Sequence, residues 1–484
     1  MPLHRLREDH GRGAPRRRAE GGPVTPRATV VENVAVAPVA GPEITRGYLH
    51  IEDGRVAALG EGPAPDVPGA ERVDGTGCLA TPGLVNTHHH LYQWATQGVA
   101  QDATLFEWLT ALYQVWAAMD AEVVNGAATA GLGWLALSGC TTTTDHHYVF
   151  PSGRGDLFAA EIDAARDIGV RFHPCRGSMD RGASDGGLPP DEVVETLEEI
   201  LDATAEAIDT YHDPAPGSML RVAVAPCSPF SVTGRLMTEA ASLARDKGVR
   251  LHTHLCETLD EEEHCLAQMG CAPVDYMEKL GWLGPDVWVA HAVHLRDRDI
   301  TRFAETGTGT AHCPSSNGRL GAGIARVSEL LRAGAIVGLG VDGSASSELT
   351  PLSGEMRQSL LFQRARYGPT ALTARQALET ATLGGARCLG RDDIGTLEPG
   401  KQADVVLWRV DGFRSAVDDP VGALVLGPPP PVARVMVAGR TIVEAGELRT
   451  VPQDTAAEAG ATAHRRLLEL AAGQGHTVAG EVHG

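Results

Sequence analysis

The chain has 484 residues, with 57 glycines, 30 prolines and a formal net charge of -21. That length exceeds the size at which single cores stop growing, so one large domain with a smaller one beside it is expected. The charge excludes a nucleic-acid binder, whose surface must be rich in Lys and Arg, and no apolar run reaches the ~20 residues of a membrane span.

The chain opens on MPLHRLREDHGRGAPRRRAEGG, which is arginine-rich and lacks the apolar stretch of a secretory signal. Residues 1–27 are therefore expected to form a disordered basic extension. GYLHIEDGRVAALG then alternates about Asp53-Gly54, a dipeptide suited to a type I′ hairpin. Similar strand signals return in ADVVLWRV and ARVMVAGRTIVEAGEL, so residues 28–81 and 393–451 are expected to build one small β-sandwich domain from both chain ends.

Between them, residues 82–392 alternate strand and helix patterns. The strand candidates are CLATPGLVNTH, GCTTTTDHHY, VRFHPCRG, LRVAVAPCS, VRLHTHLCE, VWVAHAVHL, GTAHCPSS and IVGLGVDGS. Eight such strands separated by stretches of helical period predict an α/β fold, a (β/α)₈ TIM barrel. LTARQALETATLGGARCLG is expected to be an amphipathic helix closing that barrel. Residues 452–484 form a helical tail with no chemistry assigned to it, and Gly427–Pro431 a rigid surface connection.

Four of the apolar runs end in metal-type ligands, offering His88, His90, His254, His291 and Asp342. Strands buried on both faces read as continuous apolar stretches, and their C-terminal ends point into the site of such a barrel. In a strand, residues two apart share a face, so His88 and His90 can reach one ion while His89 points away. In HTHLCE, His254 stands at the strand tip with Glu257 three residues beyond, and His252 lies deeper. In VAHAVHL, His291 closes the run and His294 begins the loop. No H-E-x-x-H helix, G-x-S-x-G elbow or phosphate loop is present. LRVAVAPCS carries no lysine that could bridge two metals, so one divalent metal ion is expected, Zn²⁺ first and Fe²⁺ as the alternative served by the same donors. The nine cysteines show no paired framework, which points to a reducing compartment, the cytoplasm.

PGLVNTHHH, HTHLCET, VAHAVHL, HCPSSN and GVDGS, in that order, resemble the amidohydrolase superfamily from about Ala28 to Thr450. LVNTHHHLYQ, LFEWLTALYQVWA, SGCTTTTDHHYVFP and HPCRGSMD are similar to its aminohydrolases of nucleobases and related heterocycles, the branch of the 8-oxoguanine deaminases and hydroxydechloroatrazine ethylaminohydrolases. The resemblance implies metal ligands at His88, His90, His254 and Asp342, with Glu257 and His291 joining Asp342 as catalytic groups. It implies hydrolytic deamination of a purine-like heterocycle, 8-oxoguanine to uric acid and ammonia; triazine, pterin or isocytosine-like rings, and a ring-opening C–N hydrolase, are the alternatives. Gln93, Arg176 and Tyr148 are expected to bind substrate, with Trp108 and Trp116 near the pocket. Cys256 stands where alanine is usual, and Gly318 where methionine is expected. The expected partner is a small heterocycle, with neither nucleic acid nor membrane, and a homo-oligomer remains open.

Overall fold

The computed structural model describes residues 28–476, so the expected basic extension and the end of the C-terminal tail lie outside the described residues. Eight parallel strands close into a barrel: β1 (Leu84–Asn86), β2 (Cys140–His147), β3 (Arg171–Ser178), β4 (Ala223–Pro226), β5 (Leu251–Leu255), β6 (Val287–His291), β7 (Gly309–His312) and β8 (Ile336–Leu339). The circle closes where Leu339 pairs with Asn86. Seven of the strands are buried throughout, and only Ile336 of the eighth is partly exposed. That burial is why they read as unbroken apolar runs.

A nine-stranded sheet drawn from both chain ends flanks the barrel. Ile44–Glu52 and Arg55–Glu61 form its hairpin, and Asp53 and Gly54 both take positive φ (47° and 76°), as the dipeptide predicts. The stretch CLATPGLVNTH is two strands. Cys78–Pro82 pairs within the flanking sheet and Leu84–Asn86 begins the barrel. Gly83 makes the switch, since a Cβ there would lie 2.0 Å from Thr141 Oγ1. Sheet and barrel are tied by Arg171, buried at the start of β3, whose Nε and Nη2 donate to Asp404 at 2.6 and 3.0 Å.

The helix expected to close the barrel is interrupted. Ala374–Glu379 and Gly385–Cys388 are α-helical, and Thr380–Gly384 between them is a π segment. This segment lies so close to β8 that a Cβ on Gly384 would sit 2.1 Å from the Val337 carbonyl oxygen.

The mouth at the C-terminal strand ends is roofed by the turn Leu91–Thr96 and the helix Leu105–Trp116, which starts with a Thr104–Glu107 capping box. The terminal helix Gln453–Gly473 packs along Ala121–Leu137, and its His464 Nδ1 donates to the Ala95 carbonyl at 2.7 Å, bracing that turn. No helix among the described residues is long and apolar enough to cross a membrane.

Candidate active site

Three histidines converge at the barrel mouth with their Nε2 atoms inward, and each ring is set by what its Nδ1 touches. His90 Nδ1 donates to the His146 carbonyl at 2.7 Å, and His254 Nδ1 to the Cys227 carbonyl at 2.7 Å. His252, deeper in β5, donates its own Nδ1 proton to the Trp288 carbonyl at 2.9 Å. Its Nε2 lone pair therefore accepts from His88 Nδ1 at 2.9 Å. A carbonyl can only accept, so each of the three converging Nε2 atoms bears a lone pair when the ring is neutral. Burial is the main cause that keeps the rings neutral: it takes His90 down to about 4 and His88 and His254 well below the usual range.

The lone pairs then face one another with no proton between them. His90 Nε2 and His254 Nε2 are 3.1 Å apart, and His88 Nε2 is buried without a hydrogen-bond partner. Asp342 Oδ1 lies 3.4 Å from His88 Nε2 and 3.3 Å from His90 Nε2. Burial acts to raise the Asp342 carboxyl, but its closeness to His88, His291 and His90 outweighs that and holds the group well below the carboxylate range. Four unprotonated donors around one point are the chemistry of a cation site. His88, His90 and His254 stand where the sequence puts them, with one difference. His88 and His90 follow β1 rather than continue it, while His89 turns away to accept the His90 N–H at 2.9 Å.

Glu257 and His291 stand beside this group. His291 Nε2 lies 3.5 Å from Glu257 Oε2 and 3.9 Å from Asp342 Oδ2, and its Nδ1 donates to Asn317 Oδ1 at 2.9 Å. Burial alone would lower His291, yet Glu257, Asp342 and Asn317 hold it above its usual value. The Glu257 carboxyl is pushed up to about 7, chiefly by burial. The backbone is bent into the left-handed region at Cys256 (φ 55°), His291 (72°), Ala292 (49°) and Asp342 (64°). Such positions are costly for residues with a Cβ and collect at functional sites.

These groups open on a cavity at the barrel mouth. His90, His254, Glu257, His291 and Asp342 form its polar wall; Leu105, Trp108, Leu109, Tyr113 and Phe230 form its apolar roof. Gln93 and Tyr148 also line it. Gln93 Oε1, Trp108 Nε1 and the Tyr113 hydroxyl are buried without a hydrogen-bond partner. The Gln93 side chain fits because residue 343 is glycine, where a Cβ would lie 1.8 Å from Gln93 Oε1.

Arg176 and Trp116 stand apart from this lining. Arg176 Nη2 and Nη1 bind Glu195 at 2.6 and 3.0 Å, and the guanidinium stacks 3.6 Å from the Phe150 ring. Trp116 packs on Tyr92 and Trp108 and donates Nε1 to Thr96.

Several residues at the site went unassigned in the sequence. His146 donates Nε2 to the Ala225 carbonyl at 2.9 Å and leaves its buried Nδ1 bare beside His88 and His254. Glu261 accepts the N–H groups of Cys256 and Glu257 at 2.8 and 2.9 Å, fixing the turn that aims Glu257. Ser316 donates to Asp342 Oδ2 at 2.6 Å. Asp145 accepts the Leu91 N–H at 2.5 Å and holds the turn after His90. The polar letters of TTTTDHH and PSSN mark Asp145, His146 and Ser316, but their roles depend on contacts with distant residues.

Residues 79–442 match the amidohydrolase family. The chain is 47% identical over 397 residues to the 8-oxoguanine deaminase of Pseudomonas aeruginosa, covering 81% of this chain and 88% of that one. It is 38% identical over 399 residues to an isoxanthopterin deaminase from an unknown prokaryotic organism, covering 78% and 83%. The crystal structure of atrazine chlorohydrolase from Arthrobacter aurescens TC1 complexed with zinc superposes with a TM-score of 0.85 at 34% identity, covering 90% of this chain and 100% of that one. Fold, site and relatives agree: the chain belongs to the amidohydrolase family.

Proposed function

We propose that this enzyme deaminates free 8-oxoguanine, converting it and water to uric acid and ammonia. The observation that carries the reading is the joint placement of Glu257, His291 and Asp342 on one wall of a cavity whose other lining includes Gln93. The 47% identity to a deaminase of that base supports it.

His88, His90, His254 and Asp342 would hold the metal ion, and zinc is our assignment, supported by the zinc-complexed relative. When bound, such an ion supplies Lewis-acid activation of water near neutral pH. Asp342 takes up the proton that the attacking water gives up. His291, held by Asn317, orients that water against the amino-bearing ring carbon. Glu257 delivers a proton to the adjacent ring nitrogen; a carboxyl near 7 can both carry and release one at neutral pH. Asp342 passes its proton to the amino group, which leaves as ammonia, and the hydroxyl proton returns to Glu257 as the new C–O bond becomes a carbonyl. Gln93 offers a donor and an acceptor to a lactam edge, and Tyr148 stacks its edge on His90 at 5.1 Å and bounds the ring. Nine free cysteines support a cytoplasmic setting, where the reaction would serve purine catabolism.

The test is uric acid formation from the free base and from an oligonucleotide carrying the same lesion. The free base is expected to react. The oligonucleotide is expected to be inert, because a chain at -21 repels a polyanion and a stacked base must be flipped out to enter. Identity to the isoxanthopterin deaminase favours a pterin as second substrate; inertness on 8-oxoguanine with turnover of a pterin would move the assignment there.

A further inference from the structure

The opposite end of the barrel carries a second cavity of about 470 Å³, lined by His173, His212, Arg221, Arg245, Arg250 and Asp286. These residues sit at or just before the N-terminal ends of β3 to β6, far along the strands from the histidines of the active site. Their charges are unbalanced. Arg245 pairs with Asp286 (2.8 Å) and neighbouring Arg391 with Asp393 (2.7 Å), and among the described residues no carboxylate lies within ion-pair distance of Arg221 or Arg250.

The Arg250 side chain makes no hydrogen bond or ion pair among the described residues, and its Nε and Nη2 are buried bare. Its one partner is the ring of Trp288, 5.8 Å from the guanidinium carbon. Arg221 reaches only carbonyl oxygens, those of Pro214, Ala215 and Gly390, at 3.2 to 3.4 Å, and its Nε is bare. Both guanidinium groups converge on Gly390. Arg221 Nη1 is 3.4 Å from its carbonyl oxygen, and a Cβ on it would lie 2.8 Å from Arg250 Nη1. His173, 3% exposed on the cavity wall, has no partner at either ring nitrogen.

A guanidinium is always charged, and taking it out of water without a counter-charge is costly. Two of them, with a histidine able to donate or accept, form half of a binding site whose missing half is negative. Burial is the main cause that pulls both below the usual arginine range, helped by Arg221 at Arg250 and by Arg391 at Arg221, against the opposing pull of more distant carboxylates.

We propose that this cavity is an anion site, binding a doubly charged oxyanion of the phosphate class between Arg221 and Arg250 with His173 as a further partner. Phosphate oxygens accept from the guanidinium forks, which have no acceptor better than a carbonyl. The volume admits a phosphate monoester as well as the free ion.

Calorimetric titration of the metal-loaded enzyme with inorganic phosphate, and separately with glycerol phosphate, at fixed ionic strength tests this. Saturable binding of one equivalent is expected, together with a rise in unfolding temperature that saturates at the same concentrations. Arg250→Met keeps the apolar stem, and this variant is expected to weaken binding at least tenfold, as is Arg221→Met. Without the anion, Arg250→Met should unfold no earlier than the parent, because it removes an uncompensated charge. Should one variant fail to fold, the other decides. Tighter binding of glycerol phosphate identifies a phosphorylated metabolite as the ligand; binding of phosphate alone identifies the free ion. Absence of saturable binding by the parent enzyme overturns the proposal. So does binding unchanged in both variants, which would place the anion at the metal centre, as would a non-saturating rise in stability equal in all three proteins, a general salt effect.

Discussion

The two ends of the barrel present opposite deficits. At the C-terminal strand ends, His88, His90, His254 and Asp342 bring lone pairs together with no proton to share, an arrangement that suits a cation. At the N-terminal ends, Arg221 and Arg250 bring guanidinium protons together with no carboxylate in ion-pair reach among the described residues, an arrangement that suits an anion. One residue stands between. Trp288 donates Nε1 to the Thr87 carbonyl at 3.0 Å, stacks on His252 at 4.4 Å, and meets Arg250 and His173 at 5.8 and 5.9 Å. His252 in turn orients His88. The comparison teaches that a closed parallel barrel can gather unpaired acceptors at one mouth and unpaired donors at the other, and each set suits a ligand of opposite sign.

The largest expected effect breaks the cation end outright. His254→Ala or Asp342→Ala should lose metal and turnover together, with elemental analysis and ammonia release falling in parallel. A variant that kept full metal content would remove that residue from the donor set. Next, Glu257→Gln separates chemistry from metal. It should retain the ion while turnover drops about 10²–10⁴-fold, the usual worth of a positioned acid–base group; near-parental turnover would assign the proton to another residue.

Gln93→Ala sharpens the distinction between binding and chemistry. Loss of one hydrogen bond, worth about 0.5–1.5 kcal/mol, should raise KM roughly two- to tenfold with little change in kcat. A fall in kcat alone would place Gln93 in the chemical step.

The smallest effect concerns buried acids at the C-terminal end outside the donor set. Glu355 is buried, and burial pushes its carboxyl up to about 8 against the hydrogen bonds from Ser315. Below about pH 4.3 both folded and unfolded chains hold this proton. As pH rises from there to about 8 only the unfolded chain releases it, so stability falls across that window. Glu355→Gln should remove this slope, and its unfolding temperature should gain on the parent's from pH 5 to pH 8. Parallel curves would show that the folded carboxyl is already ionised.

The barrel was legible because its strands are buried on both faces, and the hairpin at Asp53-Gly54 because one dipeptide suits the turn. The converging histidines were legible for the same reason: strand ends mark them locally. What escaped were relations between distant residues. Gly83 reads as one more residue of an apolar run, and only the nearness of Thr141 reveals the switch from sheet to barrel. Arg176, expected at the substrate, has Glu195 beside it, a carboxylate brought close by a loop whose course no local pattern records. Glu261 looks like a charged residue in the first turn of a helix and instead holds the backbone of Glu257. The arginines at the N-terminal mouth lie 29 residues apart in sequence and meet only because β4 and β5 are neighbours in the barrel.

The account rests on a single cation held by protonless donors, and metal stoichiometry measured against activity tests it most directly. One divalent ion per chain is predicted, with turnover falling in proportion as a chelator strips it and returning in proportion as zinc is restored. Full turnover by metal-free protein, or a requirement for two ions per chain, would contradict it.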